Sequence, residues 1–444
     1  MIAVVSVCLL APIPAGAQEA RPNILVIVTD DQPPTGTFGV MPDLGSWLIR
    51  GGTRYTRAFA PTPLCCPSRA SLFSGRYAHN HGLKENGQLP SVFDQSRTIQ
   101  RSLHDAGYRT AIFGKYLNNW EKTLSQPPPH FDVWAIFARG LPGGYYGGTW
   151  NVGGNLRTIS TYSTDYISNR AARFIRNREA AEDQPWFLYL APFAPHWLPI
   201  PEPSYEHAAV PPWRRTPAMR ETNRGDKPPY VRARSVSVPY ARSVRASQLR
   251  TLMSVDDMVG RVMRLLRELG ERNTLVVFVS DNGYMLGEHS LLGKTTPYTA
   301  SIRVPLLVRW PGHVPAGARV KRLVSIVDIA PTIAQAAGSV PDWAMDGRSL
   351  FGSAPRSGLL TEFWRVPDAT TPRWASIRTT RYQYVEYYGS AGFRPVVREY
   401  YNLVRDPWQL VNLLGNGRSG DDPNTTRAEG LLDAARSCAG QNCP

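Results

Sequence analysis

Two stretches of this chain share one design: "NILVIVTDDQ" (Asn23 to Gln32) and "NTLVVFVSDNG" (Asn273 to Gly283). Each is a continuous β-branched and apolar run too short for a buried helix, and each stops abruptly at acidic and amide side chains. Runs of this kind predict strands buried on both faces, the signature of a parallel sheet covered by helices. In open α/β sheets ligands bind beyond the carboxyl ends of the strands, which is where Asp30, Asp31, Asp281 and Asn282 fall. Four hard oxygen donors from two strand ends suit Ca²⁺ in preference to Mg²⁺, and do not suit zinc. Taken singly, each pair could instead cap a following turn.

Other segments extend the pattern. "YRTAIFGKY" and "PWFLYLAPFAPHW" predict further buried strands, ending near Lys115 and His196, and "VPLLVRWPG" predicts another. The segment Arg245 to Leu269 carries apolar residues at helical spacing and stops at Gly270. Past Gly352 the texture changes to alternating stretches such as "RWASIRTTRYQYVEYYGS", as in antiparallel strands. The expected organisation is a leader over residues 1–17, an α/β unit over 21–352 and a smaller C-terminal α+β subdomain over 353–444.

The leader is read from the apolar run that closes on Ala15-Gly16-Ala17, a small-residue cleavage pattern. A secreted or periplasmic protein follows, and no other run is long enough for stable insertion in a membrane. With Cys8 removed, four cysteines remain. Cys438 and Cys443 bracket "CAGQNC" and are expected to form a small disulfide loop. The formal net charge of +15 suits an acidic partner. No basic run with interleaved aromatics accompanies it, so nucleic acid is not the expected partner. Among only six lysines, Lys115 and Lys294 each follow a glycine, marking places where a compact ammonium is wanted.

The other two cysteines stand together in "PLCCPSRASLFSGRY". Adjacent cysteines strain a mutual bridge, and no zinc spacing surrounds them. Pro67 suits a first helical turn, so a helix is expected to open here and stop near Gly75. Cys65 then sits at the positive helix end with Arg69 one turn on, an arrangement suited to an oxyanion.

Cys65-Cys66-Pro67-Ser68-Arg69, followed by Gly75-Arg76, resembles the C-x-P-S-R…G-R signature of the formylglycine-dependent (type I) sulfatases. The paired Asp, the "SDNG" and both Gly-Lys motifs fall in that family's order. The resemblance implies an alkaline-phosphatase-like fold: a large mixed, mostly parallel sheet flanked by helices, with a smaller C-terminal antiparallel sheet. It implies that Cys65 is oxidised to formylglycine by a formylglycine-generating enzyme that reads Pro67 and Arg69. One hydroxyl of the hydrated aldehyde then attacks sulfur, and the second expels sulfate, which a plain serine or cysteine could not do. By the same resemblance Asp30, Asp31, Asp281, Asn282 and residue 65 hold the metal. Arg69 orients the diol, Lys115 and Lys294 hold sulfate oxygens, and His196 protonates the leaving alcohol.

The motif "GKYLN" is similar to the branch with N-acetylglucosamine-6-sulfatases and the extracellular heparan sulfatases. Leu117 stands where many sulfatases carry a histidine, which leaves Asn118 as a substrate contact without base function. His289 is a second candidate substrate contact or a loop anchor. The expected substrate is a sulfate ester, with a sulfated sugar as its expected form. The competing readings are a phosphonate monoester or phosphodiester hydrolase, and a non-catalytic glycan-binding protein whose Cys65 stays unmodified.

Overall fold

The computed structural model describes residues 20–120, 126–139, 144–181, 184–364, 370–389 and 392–444. The leader expected over residues 1–17 lies outside them. In chain order the strands are β1 (Asn23–Thr29), β2 (Thr53–Phe59), β3 (Arg109–Gly114), β4 (Val133–Arg139), β5 (Gly148–Val152), β6 (Asn155–Ile159), β7 (Trp186–Ala191) and β8 (Thr274–Ser280). The short pieces β9 (Met285–Leu286), β10 (Leu292–Gly293) and β11 (Arg303–Val304) follow, then β12 (Leu306–Arg309) and β13 (Ala318–Ser325). The last four are β14 (Leu359–Phe363), β15 (Arg373–Arg378), β16 (Tyr382–Tyr388) and β17 (Pro395–Asn402).

One eleven-stranded sheet runs β11-β2-β12-β8-β1-β7-β3-β4-β5-β6, with β13 alongside β2. Its centre, β8-β1-β7-β3-β4, is wholly parallel. β12, β5 and β6 add antiparallel flanks. The continuous apolar runs are explained by burial on both faces. Ile24, Val26 and Val28 of β1 pack in one cluster with Ala70, Phe73, Leu103 and Ile333. Leu25 and Ile27 pack on the other face with Ile167, Leu252 and Val255. The period of two is the strand's own, and each such side chain is worth about 1.5–3 kcal/mol of transfer free energy.

The helix read from Arg245 begins seven residues earlier, at Val238, and runs to Glu268. Ser237 caps it by accepting from the Tyr240 backbone N–H, and Pro239 occupies its first turn. Asp256 on that helix accepts from the backbone N–H groups of Asp43 and Leu44 (3.0 and 2.7 Å), so it caps a neighbouring helix start.

A second, four-stranded antiparallel sheet, β14-β15-β16-β17, carries the helix Thr426–Arg436. It shares its core with the large sheet's surroundings: Phe363 and Trp374 cluster with Phe59, Leu64 and Tyr298. Cys438 and Cys443 are disulfide-bonded beside this helix.

Candidate metal and anion site

Register builds the floor of the site. β1 and β8 pair in parallel with Thr29 opposite Ser280, so the two residues after each strand emerge side by side. Asp30, Asp31, Asp281 and Asn282 are all buried there. Asp31 adopts φ +65°, a left-handed conformation that a short polar side chain tolerates, and its backbone N–H donates to Asp281 Oδ1 at 3.1 Å. Asn282 Nδ2 donates to Asp31 Oδ1 at 2.7 Å.

The helix Cys65–Ser74 delivers the next two groups, and Gly75 closes it at φ +69°. Cys65 is its first residue, and its thiol lies 3.2 Å from Asp30 Oδ1. Ser68 Oγ donates to the Asp281 carbonyl, locking helix and strand end together. Arg69 is fully buried: Nε donates to Asp281 Oδ2 (2.9 Å), Nη1 to the Lys115 carbonyl (2.9 Å), and Nη2 lies 3.5 Å from Asp30 Oδ2. Its guanidinium therefore braces the floor from below.

Both lysines leave from a left-handed glycine. Gly114 has φ +112°, and a Cβ there would stand 2.1 Å from the Ala191 carbonyl oxygen. Only glycine allows that approach, and the Lys115 N–H uses it to bond the same oxygen (2.9 Å). Lys115 Nζ reaches Asp30 Oδ2 at 2.5 Å. Gly293, at φ +101°, launches Lys294, whose Nζ donates to Asp31 Oδ1 and to Cys65 Sγ (2.7 Å). His196, five residues beyond β7, brings Nε2 to 3.9 Å from Asp31 Oδ2.

Charge in this basin is balanced and layered. Three carboxylates face Arg69, Lys115 and Lys294. The side chains of Asp30, Asp31 and Asp281 are at most 2 % exposed, whereas Lys115, Lys294 and His196 show 12, 14 and 30 %. An acidic floor thus lies beneath a nitrogen-bearing rim. Burial alone would raise Asp30, but Lys115, His196, Arg69 and Lys294 hold it well below the usual carboxylate range. Burial and the Asp30 charge push Asp281 up to about 6. Burial, then Asp30, push the Cys65 thiol well above its ordinary value. Burial opposes the charge on Lys115, but Asp30, Cys65 and Asp281 together outweigh it and raise Lys115 to about 12. Burial keeps His196 below its ordinary value against the pull of Asp30 and Asp31.

Asp30, Asp31, Cys65 and Asp281 each offer a ligand atom within 4.8 Å of one another. Buried, converging carboxylates with an adjacent amide fit a hard divalent cation, which would offset their mutual repulsion.

The two candidate substrate contacts lie differently. Asn118 meets the site through its backbone N–H, which donates to Cys66 Sγ at 3.3 Å; its side chain is half-buried. His289 is turned away into the protein, with Nδ1 2.6 Å from Glu221 Oε2 and its ring against Tyr298. Glu221 also pairs with Lys227, so His289 is anchored in a loop of its own. Sequence reasoning missed Ser68 as a lock and Asn86, whose Oδ1 accepts from the Cys66 N–H (3.0 Å). The serine was visible inside the motif; the asparagine carried no local signal.

Carboxylates, a helix-start cysteine and paired Gly-Lys turns, gathered beyond the parallel centre of a mixed sheet, define an α/β protein of the alkaline-phosphatase-like class. Within it the chain belongs to the sulfatase family: the model described as Sulfatase matches residues 22–339. A second, described as N-sulphoglucosamine sulphohydrolase, C-terminal, matches residues 287–425. The chain is 33% identical over 351 residues to an extracellular sulfatase Sulf-1 homolog of Caenorhabditis elegans, covering 75% of this chain and 49% of that protein. It is thus similar to about half of that relative, and spans 31% of the corresponding Drosophila melanogaster protein. It is 29% identical to the Homo sapiens N-acetylglucosamine-6-sulfatase over 489 residues, 95% of this chain and 86% of the other. The fold is shared with a protein solved in complex with its substrate D-glucosamine-2-N,6-O-disulfate, at TM-score 0.80, 22% identity and coverage of 93% and 97%. It is also shared with a phosphonate monoester hydrolase from Silicibacter pomeroyi, at TM-score 0.73, 23% identity and coverage of 94% and 96%. Among the described residues, no helix is long and apolar enough to cross a membrane.

Proposed function

We propose that this chain is a secreted or periplasmic sulfatase that hydrolyses a sulfate ester of a sugar, with residue 65 as the nucleophile. The observation that supports this reading best is the layered basin: a cationic and imidazole rim, open to solvent, over buried carboxylates that meet at residue 65. The relatives named for N-acetylglucosamine-6-sulfatase activity point to the sugar.

Asp30, Asp31, Asp281 and Asn282, with residue 65, would hold Ca²⁺ in preference to Mg²⁺, because clustered carboxylates supply the higher oxygen count that the larger ion takes. When bound, the cation would polarise the ester oxygens and ease deprotonation at residue 65. Cys65, once oxidised by a formylglycine-generating enzyme, would supply a hydrated aldehyde whose second hydroxyl permits release of sulfate. Arg69 would keep residue 65 and Asp281 in register through its buried bonds. Lys294, already in contact with position 65, and Lys115 would swing from Asp31 and Asp30 to the sulfate oxygens as negative charge arrives. His196 Nε2 would hold the proton delivered to the leaving alcohol oxygen. Asn118 would be a contact at the substrate's edge.

Mass measurement of the peptide spanning residue 65 tests the nucleophile; free thiol as the sole species in native protein would remove it and leave a glycan-binding role. Kinetics on matched aryl sulfate and phosphonate esters test the reaction, since the phosphonate monoester hydrolase fold is similar over nearly the whole chain.

A further inference from the structure

Beside the basin lies a cleft of 530 Å³ walled by Lys84, Glu85, Gln88, Trp364, Thr371 and Arg373, among others. Both walls are bonded to neighbours of the reacting residues. On one wall, Gln88 Oε1 closes the turn by accepting from the Lys84 and Glu85 N–H groups (2.5 and 3.0 Å). Asn86 in this turn accepts from the N–H of Cys66, the residue after position 65. Asn119, from the loop after Lys115, donates to the carbonyls of Asn86 and Gln88 (both 2.8 Å). On the other wall, Thr371 Oγ1 meets the hydroxyl of Thr295, the residue after Lys294, at 3.3 Å. The Thr295 carbonyl in turn accepts from Trp374 Nε1 (2.8 Å). The walls of the cleft are therefore tied by hydrogen bonds to the residue after position 65 and to the residue after Lys294.

Its polar groups are set for a ligand. Lys84 Nζ is held 4.0 Å from the Trp364 ring centroid and has no carboxylate partner among the described residues. Arg373, in contrast, is engaged with the carbonyls of Gly389 and Gly392. With Lys84 and Arg373 against Glu85, the cleft is net positive.

We propose that this cleft is a saccharide subsite in which the Lys84 ammonium, seated over the Trp364 ring, binds a second anionic substituent of the sugar chain whose ester is cleaved. This rests on the sulfatase reading above and narrows its substrate class to saccharides with a second sulfate or a carboxylate close to the reacting sulfate. Lys84 supplies the charge, and Trp364 fixes where that charge stands.

The test uses three disaccharides with the same cleavable sulfate: one without another anion, one with a second sulfate, one with a uronate carboxylate. Lys84→Gln is expected to lower the kcat/KM ratio of a doubly anionic to the singly anionic substrate by about tenfold, the scale of one hydrogen bond to a charged group. Lys84→Arg should restore most of it. A loss confined to the sulfate or to the carboxylate substrate supports the subsite and names its ligand. A ratio equal in wild type and Lys84→Gln overturns it. Calorimetric binding of the same disaccharides to Cys65→Ala protein, with and without Lys84→Gln, reads the cleft without chemistry. Lys84-dependent binding with no turnover by formylglycine-bearing enzyme would sink the sulfatase reading alone; turnover with a Lys84-independent ratio would sink the subsite alone.

Discussion

Buried carboxylates in this molecule are satisfied in two opposite ways. At the ends of β1 and β8, Asp30, Asp31 and Asp281 are answered by the charged side chains of Arg69, Lys115 and Lys294. On β17, Glu399 is just as buried but is answered by neutral phenols: Tyr298, Tyr387 and Tyr401 donate to it at 2.9, 2.7 and 2.7 Å. Cations on flexible stems can leave a carboxylate for an arriving anion, whereas three packed tyrosines cannot. Burial of an acid does not mark a reactive site; the mobility and charge of its partners do. Glu399 joins the small sheet to the segment after Lys294, and its place is structural.

The largest effect is expected where the basin's chemistry starts. Cys65→Ala should lower turnover of an aryl sulfate by roughly 10³-fold or more, the scale seen when a nucleophile is removed, while circular dichroism and Tm report a folded protein. Full retained activity would show that residue 65 is not the nucleophile. Asp281→Ala should then remove bound calcium and activity together, and metal content that stays stoichiometric in elemental analysis would place the ion elsewhere.

Arg69→Met moves the comparison from chemistry to stability. It leaves Asp281 and Asp30 without their buried partner, and one-sided removal of a buried pair costs about 3–5 kcal/mol. Denaturant unfolding of metal-free protein reads this directly. A cost below about 1 kcal/mol would mean that the lysines alone satisfy the floor, as exposed pairs do.

The parts of the fold that could be read along the chain are those written at short range. The β1 and β8 runs, the Gly75 stop and the alternation in β15 and β16 are local signals, and each produced its element. The convergence of Asp30 with Asp281 was legible in part, because both acidic pairs end buried runs of the parallel-sheet kind, whose carboxyl ends share one edge. What escaped was pairing across long separations. Nothing around Glu399 announces Tyr298, and nothing around His289 announces Glu221, because hydrogen bonds between distant segments leave no period. His289 stands in a Gly-rich stretch next to the Lys294 turn, yet its ring faces the other way. His79 shows the same limit: it is held by Glu362, far along the chain.

The smallest effect is expected at Glu399, and it sharpens the contrast through pH. Burial raises this carboxyl above its ordinary value, and the hydrogen bonds from Tyr401, Tyr387 and Tyr298 only partly oppose that. A folded value above the unfolded one means that the native state binds the proton more tightly. Its contribution is therefore fully present below the unfolded carboxyl value, about pH 4.3, and is lost as pH rises through the raised folded value. Glu399→Gln carries no titrating proton and should cost about 1 kcal/mol under acid conditions, where one phenol loses its acceptor. The difference in unfolding free energy between wild type and Glu399→Gln should then shrink, or change sign, as pH rises from the unfolded value. A gap that widens with pH would show that Glu399 is held ionised, as Asp30 is, and that the phenols stabilise a charge after all.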